Sequence, residues 1–215
     1  MIGAGGMGAV YLAEHARLQR NVGLKVLHDS FAADAAARAG FAREARLLTG
    51  LDHPNIVTVY DCSAAEDPRM WLSMRYVTGG DADQLIAAQP GGMDPERAVR
   101  LITDVAHALD HAHHHNVLHR DVKPANILIE HPTGGERAVV TDFGIARALD
   151  ATRTDTSIAA TMAYAAPERF RRDIRLDGRA DVYSLACTLF QMLTGQLPFM
   201  SRDVASMIAA HLVCL

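Results

Sequence analysis

The sequence predicts an α+β chain, in which a small antiparallel sheet with one main helix precedes a larger, mainly helical part. Three observations predict it. Short β-branched or apolar runs crowd the stretch up to Met74, interrupted by one alanine-rich helical segment. Two long apolar-periodic segments with helix start and stop signals dominate the remainder. The composition, 215 residues with 49% hydrophobic and 21% charged, is that of a globular chain long enough for a sizeable core.

The elements follow in order. Gly3 to Gly8 reads as a glycine-rich turn, with Val10 to Ala13 and Val22 to Leu27 as strands after it. Residues 35 to 49 carry Phe41, Ala45 and Leu48 at helical spacing, and Gly50 is a natural stop. Ile56 to Tyr60 and Met70 to Met74 read as strands around a turn containing Glu66, Asp67 and Pro68, with Met70 and Trp71 as strand packing. Asp94-Pro95-Glu96 opens a helix: a capping carboxylate, a proline in the first turn and an acid at the positive dipole end. Val99, Ile102, Val105, Ala106 and Leu109 are expected to form its apolar stripe. Two short strands, Ile127 to Ile129 and Ala138 to Val140, flank a Pro-Thr-Gly-Gly turn. A long polar loop runs from about Ala148 to Ala165, and a last apolar helix from Asp181 to Leu193 is stopped by Gly195.

Charge and cysteine usage exclude several classes. A formal net charge of -4 argues against a nucleic-acid partner. Cys62, Cys187 and Cys214 are few, scattered and odd in number, which disfavours a disulfide framework or a zinc site and points to a reducing, cytoplasmic compartment. No signal-peptide pattern opens the chain, and no apolar run approaches the ~18–20 residues of a membrane span. An anchor outside this chain stays open. The histidines from His111 to His115 fall at a helix end, where they favour the negative pole, so a metal cluster is set aside.

Several short segments carry chemistry. Gly3-Ala4-Gly5-Gly6-Met7-Gly8 lets backbone approach a polyphosphate and present N–H groups to it, although a tight turn alone has the same composition. Lys25 ends an apolar strand, and Glu44 follows on the first helix; a Lys25–Glu44 pair would fix an ammonium against phosphates. In His119-Arg120-Asp121-Val122-Lys123-Pro124-Ala125-Asn126, a carboxylate suited to a hydroxyl proton stands five residues before an amide suited to a metal, with Lys123 between. Thr141-Asp142-Phe143-Gly144 follows a strand and offers Mg²⁺ a hard oxygen ligand at Asp142. Ala166-Pro167-Glu168 closes the long loop.

In this order, the segments resemble the protein kinase signature set over essentially the whole chain, closest to the bacterial eukaryotic-like serine/threonine kinases. The resemblance implies a two-lobed kinase-like fold, with residues 1–77 as small lobe and hinge and residues 78–215 as the large lobe. It implies ATP-dependent phosphorylation of protein Ser/Thr hydroxyls with Mg²⁺ or Mn²⁺. Ile2 to Gly8 would cover the phosphates, with Lys25 on the α- and β-phosphates and paired to Glu44. Asp121 would be the catalytic base, Lys123 would steady the γ-phosphate, and Asn126 and Asp142 would hold the metal. Backbone groups of Arg75 and Val77 would meet the adenine edge, Met74 would stand behind it, and Val10, Gly23 and Leu128 would sandwich the ring. Leu48, Tyr60, His119, Phe143 and Asp181 map onto the stack joining the lobes. Arg120 would receive a phosphorylated loop residue, with Thr154 and Thr156 as candidates, then Ser157, while Thr161 would touch Asp121 and Lys123. A homodimer for trans-autophosphorylation is compatible with this.

Departures accompany it. The chain is expected to lack most of the family's first strand and its final helices, including an arginine partner for Glu168. Gly23, Ala160 and Ala186 replace an alanine, a glycine and a glycine, and none removes a catalytic group. The alternative reading is a nucleotide-binding pseudokinase or inactive truncated scaffold.

Overall fold

The computed structural model describes residues 1–5, 8–17, 19–32, 35–64, 66–143, 162–171, 174–201 and 203–213. A five-stranded antiparallel sheet in the order β1-β2-β3-β5-β4 forms the first part: β1 Gly3–Gly5, β2 Gly8–His15, β3 Arg20–Leu27, β4 Val59–Cys62 and β5 Trp71–Arg75. The glycine segment is therefore more strand than turn. Gly3 pairs with Val10 and Gly5 with Gly8, so β1 folds straight back onto β2. Gly8 has φ 151°, and a Cβ there would lie 2.1 Å from the carbonyl oxygen of Val26, so only glycine fits.

A short helix α1 (Asp29–Ala32) precedes α2 (Ala35–Thr49), which has the predicted bounds. Phe41, Ala45 and Leu48 lie on its buried face. The expected strand from Ile56 to Tyr60 begins three residues later. Ile56 and Val57 instead pair with the helical part: Ile56 bridges Val140, and the Val57 N–H donates to the Val140 carbonyl at 2.8 Å. The Val140 N–H donates to the Asn55 carbonyl and the Asn55 amide to the Ala138 carbonyl, both at 2.8 Å. The segment after α2 is thus stitched to the far part of the molecule.

The second part contains α3 (Ala82–Ala87), α4 (Pro95–His114), the hairpin β6 (Ile127–Glu130) and β7 (Arg137–Val140), α5 (Gly178–Thr194) and α6 (Val204–Val213). Asp94 caps α4 by accepting from the Arg97 N–H, with Pro95 in the first turn. The predicted stripe on α4 is largely met: Val105 and Leu109 are buried, and Ile102 and Ala106 pack against the core. The buried residues are Ala98, Leu101, Val105, Ala108, Leu109 and Ala112, whereas Val99 is 54% exposed. Alanines let α4 approach α5 and β7 closely, and a count of large apolar residues misses a face built from them. Helix α5 starts three residues earlier than expected, because the Asp177 carboxylate accepts from the Arg179 N–H, and it ends at Gly195 with φ 71°.

One apolar cluster spans both parts, joining Phe41, Leu48 and Leu72 to Leu101, Val105, Ile129 and Phe143. Tyr60 is not part of it. The β4–β5 register shifts between Val59 and Asp61, and the Tyr60 ring instead lies under the Arg20 guanidinium, 3.9 Å away, while Val59 packs on the core. Among the described residues, no helix is long and apolar enough to cross a membrane.

Candidate active site

A cleft of ≈ 310 Å³ opens between the sheet and the helical part. Ile2, Gly3, Val10 and Gly23 border it from the sheet, Met74, Arg75 and Val77 from the connecting strand end, and Leu128 from β6. Val10 and Leu128 pack on the same small apolar cluster of Val57, Met74, Val77 and Val139. Two slabs of apolar side chain therefore face one another with backbone amides and carbonyls along one edge, the arrangement that holds a flat heterocycle. Ala4, Gly5 and Gly8 form the β1–β2 hairpin beside the cleft, and Gly6 and Met7 lie outside the described residues.

Sequence reasoning missed part of the wall. Thr78, Gly80, Asp81, Gln84, Ala125 and Thr141 also line the cleft. Asp81 caps α3 through the Gln84 N–H, and Gln84 reaches back to it. The Asp-x-x-Gln spacing after two glycines was a readable helix start.

The segment from His119 to Asn126 is held from beneath by Asp181 of α5. This carboxylate is 1% exposed and accepts from the backbone N–H groups of His119 (2.8 Å) and Arg120 (2.7 Å) and from His113 Nε2 (2.8 Å). Burial alone would raise its pKa, but the His113 bond, the nearby His119 ring and the two backbone donors outweigh that and hold it below the usual range. His119 Nε2 meets the Thr141 carbonyl at 2.9 Å and so carries the proton, leaving Nδ1 to accept from the Asp121 N–H at 3.2 Å. Burial lowers the pKa of this ring, against the pull of Asp181 and Asp121. Its ring centre lies 4.5 Å from that of Phe143, the two rings tilted by 49°.

Asp121 is buried and gathers the loop around itself. Lys123 Nζ donates to its Oδ2 at 2.8 Å, and Asn126 Nδ2 to its carbonyl at 2.7 Å and Oδ2 at 3.2 Å. Asn126 thereby commits its nitrogen, which leaves its oxygen as the atom to offer a cation. Arg120 and Asp142 both have φ 65°, a left-handed conformation that costs a non-glycine residue about 1–3 kcal/mol and recurs at functional sites.

The predicted Lys25–Glu44 pair is not formed. Lys25, 5% exposed, donates to Asp142 Oδ2 at 2.6 Å. Glu44 sits on the buried face of α2 and approaches Arg43 at 3.6 Å. Gly144, Thr154, Thr156, Ser157, Ala160 and Thr161 lie outside the described residues.

Among the described residues, no group of three or more His, Cys, Asp and Glu is arranged to hold a metal. Asn126 and Asp142 together provide an amide and a carboxylate oxygen, a set suited to a hard cation that completes its shell with phosphate and water oxygens.

A family model described as the protein kinase domain matches residues 1–214. The chain is 49% identical over 217 residues to the serine/threonine-protein kinase PknJ of Mycobacterium tuberculosis, covering 99% of this chain and 36% of that protein. It is 46% identical to PknF of the same organism, covering 98% and 45%. The chain thus spans about a third to under a half of these relatives. Among solved structures, the kinase domain of Mycobacterium tuberculosis PknI (the C20A_R136N double mutant) matches with a TM-score of 0.77 at 34% identity, over 99% of this chain and 80% of that one.

Proposed function

We propose, because this chain belongs to the protein kinase domain family, that it transfers the γ-phosphate of ATP to serine and threonine hydroxyls of protein substrates. The observation that carries the reading is the hydrogen-bonded cluster of Asp121, Lys123 and Asn126, together with Lys25 bonded to Asp142, which lines the cleft beside Ala125. Asp121 accepts the proton of the attacking hydroxyl and orients it. Lys123 keeps positive charge beside the migrating phosphoryl group. Catalysis is then positioning and electrostatic stabilisation, because a loose phosphoryl-transfer transition state asks for little covalent help. Mg²⁺ or Mn²⁺, held by Asn126 and Asp142, would supply neutralisation of the phosphate oxygens.

In this reading the adenine lies between Val10 and Gly23 on one side and Leu128 on the other. Backbone groups of Arg75 and Val77 take its edge, Met74 stands behind it, and Ile2 to Gly8 lie over the phosphates. Arg120 shares a cavity with Arg169, Arg175 and His113, which supports reception of a phosphorylated loop residue such as Thr154 or Thr156. Phosphorylation in trans within a homodimer, in the cytoplasm where ATP is supplied, completes the reading. Lys25, Asp121, Lys123, Asn126 and Asp142 are all present among the described residues, and the kinase names of the relatives support transfer over a nucleotide-binding but inactive scaffold.

The test is transfer of labelled γ-phosphate to the chain itself and to a basic protein. Asp121→Asn should lower the rate by about 10²–10⁴-fold, the usual worth of a positioned base, while Mg·ATP still binds. Equal rates for the two proteins would sink the assignment. Mass spectrometry of the labelled chain should place phosphate on Thr154 or Thr156.

A further inference from the structure

An ion-pair network that reaches the cleft at Arg75 has no part in the chemistry above. Arg75 ends β5, and its Nη1 donates to Glu130 Oε1 at 2.9 Å. Glu130 ends β6, on the helical side of the cleft. Its other oxygen accepts from Arg137 of β7, through Nε at 3.1 Å and through Nη2. The two guanidiniums outweigh the effect of burial and hold the Glu130 pKa below the usual range. Leu128 and Glu130 are two residues apart on one strand and so share a face. Leu128 borders the cleft, and so does Arg75.

An isolated surface ion pair contributes little, since solvent screens it and two long side chains must be ordered. This one differs in three ways. Arg75 and Glu130 are only 26% and 23% exposed in their side chains. One carboxylate is shared by two guanidiniums, and Arg137 is its direct cross-strand partner, so Glu130 is already in place for Arg75. Arg75 Nε is also buried without an acceptor, so the Glu130 contact is what offsets desolvation of that guanidinium. The Arg75 backbone is fixed independently, its N–H donating to the Thr58 carbonyl at 2.9 Å.

We infer that Arg75, Glu130 and Arg137 form a clasp between the sheet and the helical part, which sets the spacing between the Arg75 backbone and Leu128 and so the grip on the adenosine portion of a nucleotide. Arg75 and Glu130 act here as positioning residues. The inference rests on the nucleotide-site reading above, and the experiment separates the two.

Adenosine is the probe, because it carries no phosphate and reads only the base and ribose contacts. Calorimetric titration of the wild type, Arg75→Ala, Glu130→Gln and the double variant should show each single change weakening adenosine about 3- to 10-fold, the range of a coupled pair. The double variant should be no weaker than the worse single one. Rescue should follow chemistry, with Arg75→Lys recovering part of the loss. Hydrogen exchange of the uncomplexed chain gives a second readout. In Glu130→Gln, amides at 75–78 should exchange faster than in wild type, with amides of α5 unchanged. Additive losses, or single variants that bind adenosine like wild type, would overturn the clasp. So would unchanged exchange at 75–78, whatever the titrations show. A wild type that binds neither adenosine nor Mg·ATP, yet shows the faster exchange in Glu130→Gln, would keep the clasp as an inter-part tie and overturn the nucleotide reading.

Discussion

Asp181→Asn changes one buried atom and should unsettle the whole catalytic segment. The carboxylate offers Oδ1 to the Arg120 N–H and Oδ2 to both His119 N–H and His113 Nε2. An asparagine must place its NH₂ against a donor. The cheaper orientation sacrifices Arg120, leaving a buried N–H unsatisfied at about 1–3 kcal/mol. The two remaining bonds lose their charge assistance, at about 1 kcal/mol each. The sum is about 3–5 kcal/mol, a large share of the 5–15 kcal/mol typical of a domain. For a chain of this length, that lowers the melting temperature by about 10 °C. Activity should fall by more than unfolding explains, because Arg120 is held at φ 65° by this contact and Asp121 follows directly. A displacement of ~1 Å there costs about 10²-fold. Thermal denaturation and phosphotransfer by the folded fraction measure the two effects. A melting temperature within 2 °C of wild type (on the order of 0.5 kcal/mol) together with unchanged turnover would refute the reasoning.

Two further outcomes are expected. Gly23→Ala adds a methyl that would meet Met74 Cγ at 3.4 Å, an ordinary contact, at the cleft wall. Nucleotide affinity should hold or rise, by at most ~0.8 kcal/mol, and a tenfold loss by titration would show that Gly23 does not lie over the base. Stability should fall on mild acidification. Burial lowers the pKa of His53, His119 and His211, for His53 with help from His111. The unfolded chain therefore binds protons first, so this stability is complete above about pH 6.5 and is lost as pH falls below it. The Asp181 share, from a depressed carboxyl, stays intact until about pH 4 and is lost below. The urea midpoint should be lower at pH 5.5 than at pH 7.5; equal midpoints would contradict the burial of these rings.

Where physics is local, the sequence was legible. The bounds of α2, the Asp94 cap and the Gly195 stop each depend on a few neighbouring residues, and all appear. Of the residues read from the sequence, Val10, Gly23, Met74, Val77 and Leu128 line the cleft. What stayed hidden depends on long-range packing. The α4 face runs through alanines that only the approach of α5 explains. Tyr60 leaves the core because of a register shift that no local pattern encodes. Lys25 takes Asp142, 117 residues away, rather than Glu44, a long-range choice that no local pattern encodes. The partnership of Arg75 with Glu130 likewise joins positions 55 apart, and each residue alone reads as an ordinary surface charge.

The stitching of Asn55 and Val57 to β7 has a mechanical consequence. It ties the chain six residues beyond the end of α2 to the far part, so that end is a fulcrum and Ala35 is the distal end of a lever. With a rise of ~1.5 Å per residue, Glu44 lies about 7 Å from the fulcrum and Ala35 about 21 Å. A tilt of about 20° would then carry Ala35 through about 7 Å but Glu44 through less than 3 Å. Whatever presses on the distal end of α2 is geared down at Glu44, so a coarse push there becomes a fine adjustment at that carboxylate.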